Sequence, residues 1–175
     1  HQIAMSVTSQ LFMIPMSLAI ALTIRIGLYY GEKNIAAMRR VQQIGLATGT
    51  VFAFLTMSLI WFFRPEIVAI YTTDLGVSQV AIYLLLFAMG YQIMDAWQIS
   101  AAGCLRGMQD TQGPMWITMI AYWIIAFPVG LYLARYTETG AAGVWIGLIV
   151  GLSIACVLLL LRLYQNNQKL EKRFN

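Results

Sequence analysis

The sequence predicts an all-α protein that crosses a membrane with five helices. Of its 175 residues, 60% are hydrophobic and only 10% are charged, whereas a soluble domain typically has about a quarter charged residues. About 20 apolar residues are needed for a helix to cross the hydrocarbon core. Five stretches reach that length without the strict alternation of a barrel strand, namely residues 3–26, 44–63, 77–105, 114–133 and 141–161.

The first stretch predicts a kinked helix. Pro15 removes a backbone hydrogen bond, and Ser17 and Thr23 are the nearby hydroxyls that we expect to satisfy the freed carbonyl. The helix is expected to end near Gly31, before a turn at residues 32–34. With flanking residues included, the predicted helices span residues 3–31, 41–63, 77–106, 114–134 and 141–164, in one domain over residues 1–175 that ends in a tail at 165–175.

Small residues at a spacing of four mark the second and fifth helices. Such a stripe lets a neighbouring helix approach closely, so it predicts packing and no chemistry. In the fourth helix Pro128 predicts a bend at one end. The link after the second helix, residues 64–74, opens on Arg-Pro-Glu and predicts a new helix start. The stripe glycines are Gly45, Gly49, Gly143, Gly147 and Gly151.

The third helix contains the one carboxylate that lies well inside a long apolar segment, Asp95. A charge in hydrocarbon is costly, so such residues usually face a protein interior or a wet cavity and mark ion or proton pathways. Tyr91 and Gln98 share its helical face at i−4 and i+3. Their oxygens could bind a hard cation or carry a proton. The alternative is an aspartate that only hydrogen-bonds a neighbouring helix.

Other polar residues predict a cavity wall. Gln92 and Ser100 lie to either side of the Asp95 face, and Gln10 belongs to an unusually polar half of the first helix. Hydrogen bonding between helices is an equally good interpretation of that polar half. The aromatic fourth helix is expected mainly to pack the core or meet the membrane interface, with a minority of rings lining a cavity.

The distribution of Lys and Arg predicts the orientation, because positive loops stay in the cytoplasm. With five crossings, nine basic residues fall on one side, and Arg64 and Arg135 fall on the other. The C-terminus is therefore predicted to be cytoplasmic. Basic segments are also expected to meet anionic lipid head groups. The nine are Arg25, Lys33, Arg39, Arg40, Arg106, Arg162, Lys169, Lys172 and Arg173.

The sequence gives no sign of an enzyme. No Ser/His/Asp set, phosphate-binding loop or dinucleotide-binding glycine pattern is present. Cys104 and Cys156 lie in or at the end of apolar helices and form no metal-ligand spacing. The net charge of +4 does not form a compact basic face, so a nucleic-acid partner is not expected.

Several segments resemble a known family in the right order. These are residues 15–17 with 21–27 and Gly31, residues 91–98 with 103–107 and Asp110, and residues 122–123, 128–130 and 140–147. They resemble the eighth helix, the tenth helix with its cytoplasmic exit, and the eleventh and twelfth helices of multidrug and toxic compound extrusion (MATE) transporters, in the NorM-like branch. Residues 91–98 (YQIMDAWQ) are the most specific part.

The resemblance implies half of a transporter in the bacterial inner membrane, with five of the six helices of the C-terminal bundle in a twelve-helix protein. It implies export of cationic amphipathic drugs or dyes in exchange for Na⁺ or H⁺, with no other cofactor. Family residues that match Asp95 and Tyr91 belong to a cation site, which would hold Na⁺ if sodium is the coupling ion. The acidic partner on the seventh helix and the N-terminal bundle are not in this chain, so we expect it not to transport alone.

Two other functions stay open at this point. A flippase of the same superfamily would move a lipid-linked oligosaccharide or polysaccharide, although that class does not share the pattern of residues 91–98. A purely structural membrane subunit would tolerate neutralisation of Asp95.

The orientation can be tested by cysteine labelling in intact cells. Cysteines that replace Thr137 and Asp74 should react with an impermeant reagent added outside, because both belong to the side that is poor in Lys and Arg. Cysteines that replace Asn34 and Asn166 should be protected until the membrane is permeabilised. The reverse labelling pattern would contradict the predicted orientation.

Overall fold

The computed structural model describes residues 2–71, 75–136 and 141–174, and these residues form helices, with short turns at residues 32–34 and 108–111. Within these ranges five helices are long and apolar enough to cross a membrane, and no strand occurs, so the predicted five-span all-α fold is confirmed. The elements are α1 (Gln2–Leu11), α2 (Met13–Gly31), α3 (Ile35–Tyr71), α4 (Leu75–Gly107), α5 (Gln112–Met119), a π-helical segment (Ile120–Ala126), α6 (Phe127–Tyr136) and α7 (Ala141–Phe174).

The first span is interrupted at Phe12, three residues before Pro15. The hydroxyls of Ser17 and Thr23 do not satisfy the carbonyl that Pro15 frees, so that prediction is wrong. Ser17 donates to the carbonyl of Met13 over 2.8 Å. Thr23 donates within its own helix and also to the carbonyl of Gly103 over 3.0 Å, and it thereby ties α2 to α4.

The turn between α2 and α3 lies where the sequence predicts it. Helix α2 ends at Gly31, and Lys33 adopts a left-handed backbone conformation with φ of 57°. The side-chain oxygen of Asn34 then accepts a hydrogen bond of 3.0 Å from the Ala37 N–H, which satisfies one of the free donors at the start of α3. The two helices therefore run antiparallel from a short, well-defined turn.

Two helices are longer than the apolar stretches predict. Helix α3 passes through Pro65 and continues to Tyr71, so Arg-Pro-Glu does not start a separate helix. Helix α7 extends to Phe174, and residues 165–174 are helical rather than a tail. This extension stays docked because Leu163 and Leu170, two turns apart, are both buried against the bundle.

Helix α4 lies at the centre of the bundle, packed against α2, α3 and α7. Its beginning and end belong to two separate apolar clusters. The distal cluster holds Leu84 and Leu85 with Trp145 of α7. The basic-end cluster holds Cys104 and Leu105 of α4, and it lies at the end of the bundle where most Lys and Arg residues gather. The polar residues between 91 and 100 occupy the stretch of α4 between these clusters.

Glycines bring helices into close contact. A Cβ on Gly147 of α7 would lie 2.5 Å from the Cα of Gly130 on α6, closer than atoms can approach. A Cβ on Gly45 would overlap the side chain of Leu22, and one on Gly151 would overlap Ala126. Gly49 faces Ser100, and Gly143 is buried. Close backbone approach replaces the hydrophobic drive that is missing between helices in lipid.

A polar node joins α7 to the turn after α4. The carboxylate of Asp110 accepts hydrogen bonds from Arg162 (2.6 and 3.0 Å), from Asn166 (2.8 Å) and from the Gly113 N–H (3.2 Å). The Arg162 guanidinium, helped by the other two donors and opposed by partial burial, holds the pKa of Asp110 below its usual value. The charged form of Asp110 is therefore the form that the fold stabilises.

Replacing Asp110 should destabilise the protein. Asp110→Asn keeps the shape but removes the charge that Arg162 faces, so we expect a loss of about 1–2 kcal/mol in the free energy of unfolding, measured by thermal unfolding of the full-length protein. Because its pKa is lowered by folding, the charged Asp110 stabilises fully above the unfolded pKa of about 3.9, and this contribution is lost as the pH falls through the folded pKa.

Glu171→Gln is the matched control. It breaks the ion pair of 2.7 Å between Glu171 and Arg39. The side chains of Arg39 and Glu171 are 40% and 46% exposed, and exposed ion pairs contribute about 0–1 kcal/mol to the free energy of unfolding. Equal unfolding temperatures for Asp110→Asn and Glu171→Gln would contradict the assigned role of the node.

Candidate functional site

A cavity of about 270 Å³ opens beside the middle of α4. Residues of four elements and of the break at Phe12 line it, because α1, the π-helical segment and α7 surround this part of α4. The lining residues are Ser9, Phe12, Tyr91, Asp95, Tyr122, Trp145, Leu148 and Leu152.

Asp95 is the only described carboxylate in this wall, and the residue is 7% exposed. Tyr91 lies one turn away on the same face of α4, as the spacing predicts. Within the described ranges, no Lys or Arg forms an ion pair with Asp95. A carboxylate that is buried without a cation is costly in an apolar bundle, so this position favours a proton or a bound cation as its partner.

Tyr122 reaches the site from the π-helical segment. The Phe127 N–H donates to the Tyr122 carbonyl five residues earlier, which is the π-type pattern. Tyr122 points from this π-helical segment towards α4, where its hydroxyl donates to the side-chain oxygen of Gln98 over 3.0 Å. Single π-helical turns of this kind are frequent at functional sites. Pro128, which has no N–H to donate, is the second residue of α6, directly after this segment.

Hydrogen bonds join another side of α4, beside the cavity face, to α3. The side-chain amide of Gln92 donates to the Thr56 hydroxyl over 3.0 Å, and the Trp97 indole N–H donates to Thr50 over 2.7 Å. Ser100 lies fully buried against Gly49, and its hydroxyl is a buried polar atom without a hydrogen-bond partner. These contacts fix the rotation of α4 about its axis, and that rotation places Asp95 in the cavity wall.

The structure therefore separates the predicted polar residues. Asp95 and Tyr91 line the cavity, and Gln98 lies behind it as the acceptor for Tyr122. Gln92, Gln98, Ser100 and Gln10 are not among the residues that line this cavity, and Gln92 instead lines a small pocket between α2, α3 and α4. Gln92 and Ser100 contact α3 because they lie beside the Tyr91–Asp95 face rather than on it, and Gln10 is exposed on α1.

Sequence patterns did not single out Tyr122 or Trp145 as parts of this site. Tyr122 is one of several aromatic residues in the fourth span, and its orientation depends on a π-helical turn that periodicity does not predict. Trp145 is buried in the distal cluster, and its ring lies 6.1 Å from that of Tyr91. The wall opposite Asp95 is thus built from aromatic and aliphatic side chains of α7.

The cavity offers few polar groups to a ligand. It offers one carboxylate and the hydroxyls of Tyr91, Tyr122 and Ser9 against an otherwise apolar lining. In the part of the chain that the structure describes, no group of three or more His, Cys, Asp or Glu residues comes together. Oxygen donors of this kind suit a proton, an alkali cation or the cationic group of an amphipathic molecule.

The Tyr122–Gln98 hydrogen bond should contribute to stability. Tyr122→Phe leaves the buried Gln98 oxygen without its donor, so we expect a loss of about 1–3 kcal/mol in the free energy of unfolding. Tyr132→Phe on α6 is the control, since that side chain is exposed. If both variants of the full-length protein unfold at the same temperature, the hydrogen bond does not hold Tyr122 in place.

Comparisons with known proteins agree with one another. A family profile described as MatE matches residues 1–132. The chain is 75% identical to the "Probable multidrug resistance protein NorM" of Acinetobacter baylyi over 99% of its own length and 38% of that protein. It is 43% identical to the protein of the same name from Bacillus thuringiensis, over 97% of this chain and 37% of that one.

The fold has a close counterpart among solved structures. The crystal structure of the eukaryotic MATE transporter AtDTX14 matches with a TM-score of 0.87 at 21% identity, over 99% of this chain and 40% of that chain. At that identity the likeness concerns the fold alone. The chain spans less than two fifths of the length of the two curated relatives.

Proposed function

The chain belongs to the MATE family, and on that premise we propose that it forms part of a multidrug efflux transporter. In this proposal it supplies five helices of the C-terminal bundle, and the rest of the transporter lies in sequence outside this chain. This chain matches only 38% of the length of the Acinetobacter baylyi relative, which supports the proposal that it forms one part of a longer transporter. The protein is a multi-pass transporter of the bacterial inner membrane rather than an enzyme, and its C-terminus lies in the cytoplasm.

The observation that carries the proposal is the position of Asp95. A carboxylate lies in the wall of a cavity of about 270 Å³ that is otherwise lined, apart from Ser9, by aromatic and aliphatic side chains. Such a wall accommodates the flat apolar body of a cationic drug or dye, while the carboxylate attracts its charge. The relatives' name, multidrug resistance protein, supports the same class of substrate.

Exchange follows from competition for one site. Asp95 holds either a proton or Na⁺, with the Tyr91 hydroxyl as a second oxygen ligand in the sodium case. The acidic partner on the seventh helix of the family would complete that ligand set. Occupation by the cation neutralises Asp95 and weakens its attraction for a cationic drug. Entry of the cation from outside therefore favours release of the drug to the outside, provided that the two ligands favour different conformations.

Neutralising Asp95 should abolish export. Asp95→Asn keeps the size of the side chain but removes the charge for which the drug and the coupling ion compete. We expect the full-length variant to insert normally and to give cells no more drug resistance than an empty vector. In a dye-efflux assay, with and without an ionophore, it should also export no more dye than the empty vector. Glu66→Gln, at an exposed carboxylate outside the cavity, should export like the wild type.

Tyr91→Phe should have a smaller effect, because it removes one oxygen and leaves the charge. We expect the affinity for the coupling ion to fall about five-fold, which corresponds to a loss of about 1 kcal/mol in its binding free energy. Wild-type efflux by a well-expressed Asp95→Asn protein would show that the carboxylate is structural and would overturn the proposal.

A further inference from the structure

A second cavity, which the proposed transport function does not use, lies between α2 and α3 at the basic end of the bundle. It is an open groove of about 450 Å³. Arg25 and Tyr29 of α2 and Arg40 of α3 line the part near the turn at residues 32–34. The remainder is mainly apolar and is lined by Leu18, Leu22, Val41, Ile44, Gly45 and Thr48, and Ala37 also contributes.

The lining of this groove changes from basic to apolar in one direction. The two helices are antiparallel, so lower numbers on α2 and higher numbers on α3 both lead away from the turn. Arg25 is followed in that direction by Leu22 and Leu18, and Arg40 is followed by Ile44. At about 1.5 Å per residue the step from Arg25 to Leu18 covers roughly 10 Å. That depth is a large part of one leaflet of a hydrocarbon core of about 30 Å.

The two arginines carry uncompensated charge. In the described ranges neither Arg25 nor Arg40 forms an ion pair or a side-chain hydrogen bond, and no Asp or Glu lines the groove. The neighbouring Arg39 differs, because Glu171 of α7 binds it over 2.7 Å. Two guanidinium groups in one groove repel each other, so an anion between them would relieve that repulsion.

We propose that this groove binds an anionic phospholipid. The phosphate lies between Arg25 and Arg40, with the Tyr29 ring at the level of the head group, and one acyl chain lies along Leu18 and Ile44, over the buried Leu22. A soluble anion would use the arginines but not the apolar part of the groove, and an uncharged lipid would use only the apolar part. Basic pockets between membrane helices bind anionic head groups in this way.

The absence of a side chain at Gly45 shapes the floor of the groove. A Cβ there would overlap the side chain of Leu22, so glycine lets α3 approach α2 at the point where the acyl chain would lie. The arginines above this point are exposed, and a head group can therefore reach them from the side of the membrane.

The test measures lipid binding to the full-length protein and is independent of transport. Native mass spectrometry would count adducts of phosphatidylglycerol and of phosphatidylethanolamine on the wild type and on Arg25→Gln/Arg40→Gln. We expect phosphatidylglycerol affinity to fall about five-fold for each arginine lost. Each basic residue near a membrane surface contributes about 1 kcal/mol to binding of anionic lipid, and that free energy corresponds to this change in affinity. Binding of phosphatidylethanolamine should stay unchanged. Lys169→Gln/Lys172→Gln removes the same charge from exposed positions on α7 and should bind phosphatidylglycerol like the wild type.

Cross-linking with a photoactivatable phosphatidylglycerol would show where on the chain the lipid binds. Its cross-links should map to peptides within residues 18–48 of the wild type and disappear in the double arginine variant. Equal loss in the lysine control would indicate attraction by net charge alone and would overturn the proposal. Unchanged adducts in Arg25→Gln/Arg40→Gln would also overturn it. So would a cysteine at Ile44 that cross-links to the remainder of the transporter instead of to lipid, because the groove would then be covered by protein.

Discussion

The whole arrangement depends on keeping one carboxylate in an apolar bundle without a cation from the described part of the chain. Asp95 lies on the central helix, between two apolar clusters that clamp the beginning and end of α4. The rotation of α4 about its axis is set by the side that meets α3, where Gln92 and Trp97 donate hydrogen bonds. Both of these side chains are satisfied between helices, whereas the buried Ser100 hydroxyl on the same side of α4 has no hydrogen-bond partner.

The helices around Asp95 are held by two different kinds of contact. On one side, backbone approaches at glycines bring α6 and the π-helical segment against α7, and these fix Tyr122 and the α7 wall relative to each other. At the basic end, the Asp110 node joins the turn after α4 to α7 by hydrogen bonds and charge. Both contacts act on elements that line the cavity, although neither touches it. A change in either contact therefore alters the site through its supports.

Much of this structure could be predicted from the sequence, because its signals are strong and local. Spans of 20 or more apolar residues predict the five crossings, and the spacing of Tyr91 and Asp95 predicts their shared face. The remainder depends on tertiary contacts. The docking of α7 beyond residue 164 rests on Leu163 and Leu170 meeting the bundle. The facing of Gln92 and Ser100 towards α3 rests on the rotation of α4, which a polar face alone does not specify. The π-helical turn at Tyr122 has no sequence signature.

The central claim is that the drug and the coupling cation compete at Asp95. The most direct measurement is the dissociation constant of a fluorescent cationic dye for the purified full-length protein, across a range of Na⁺ concentrations and pH values. The account predicts that added Na⁺, or a lower pH, weakens dye binding to the wild type. It predicts that Asp95→Asn binds the dye weakly and with no dependence on either cation. Dye binding that is insensitive to both cations in the wild type, or equally sensitive in Asp95→Asn, would contradict it.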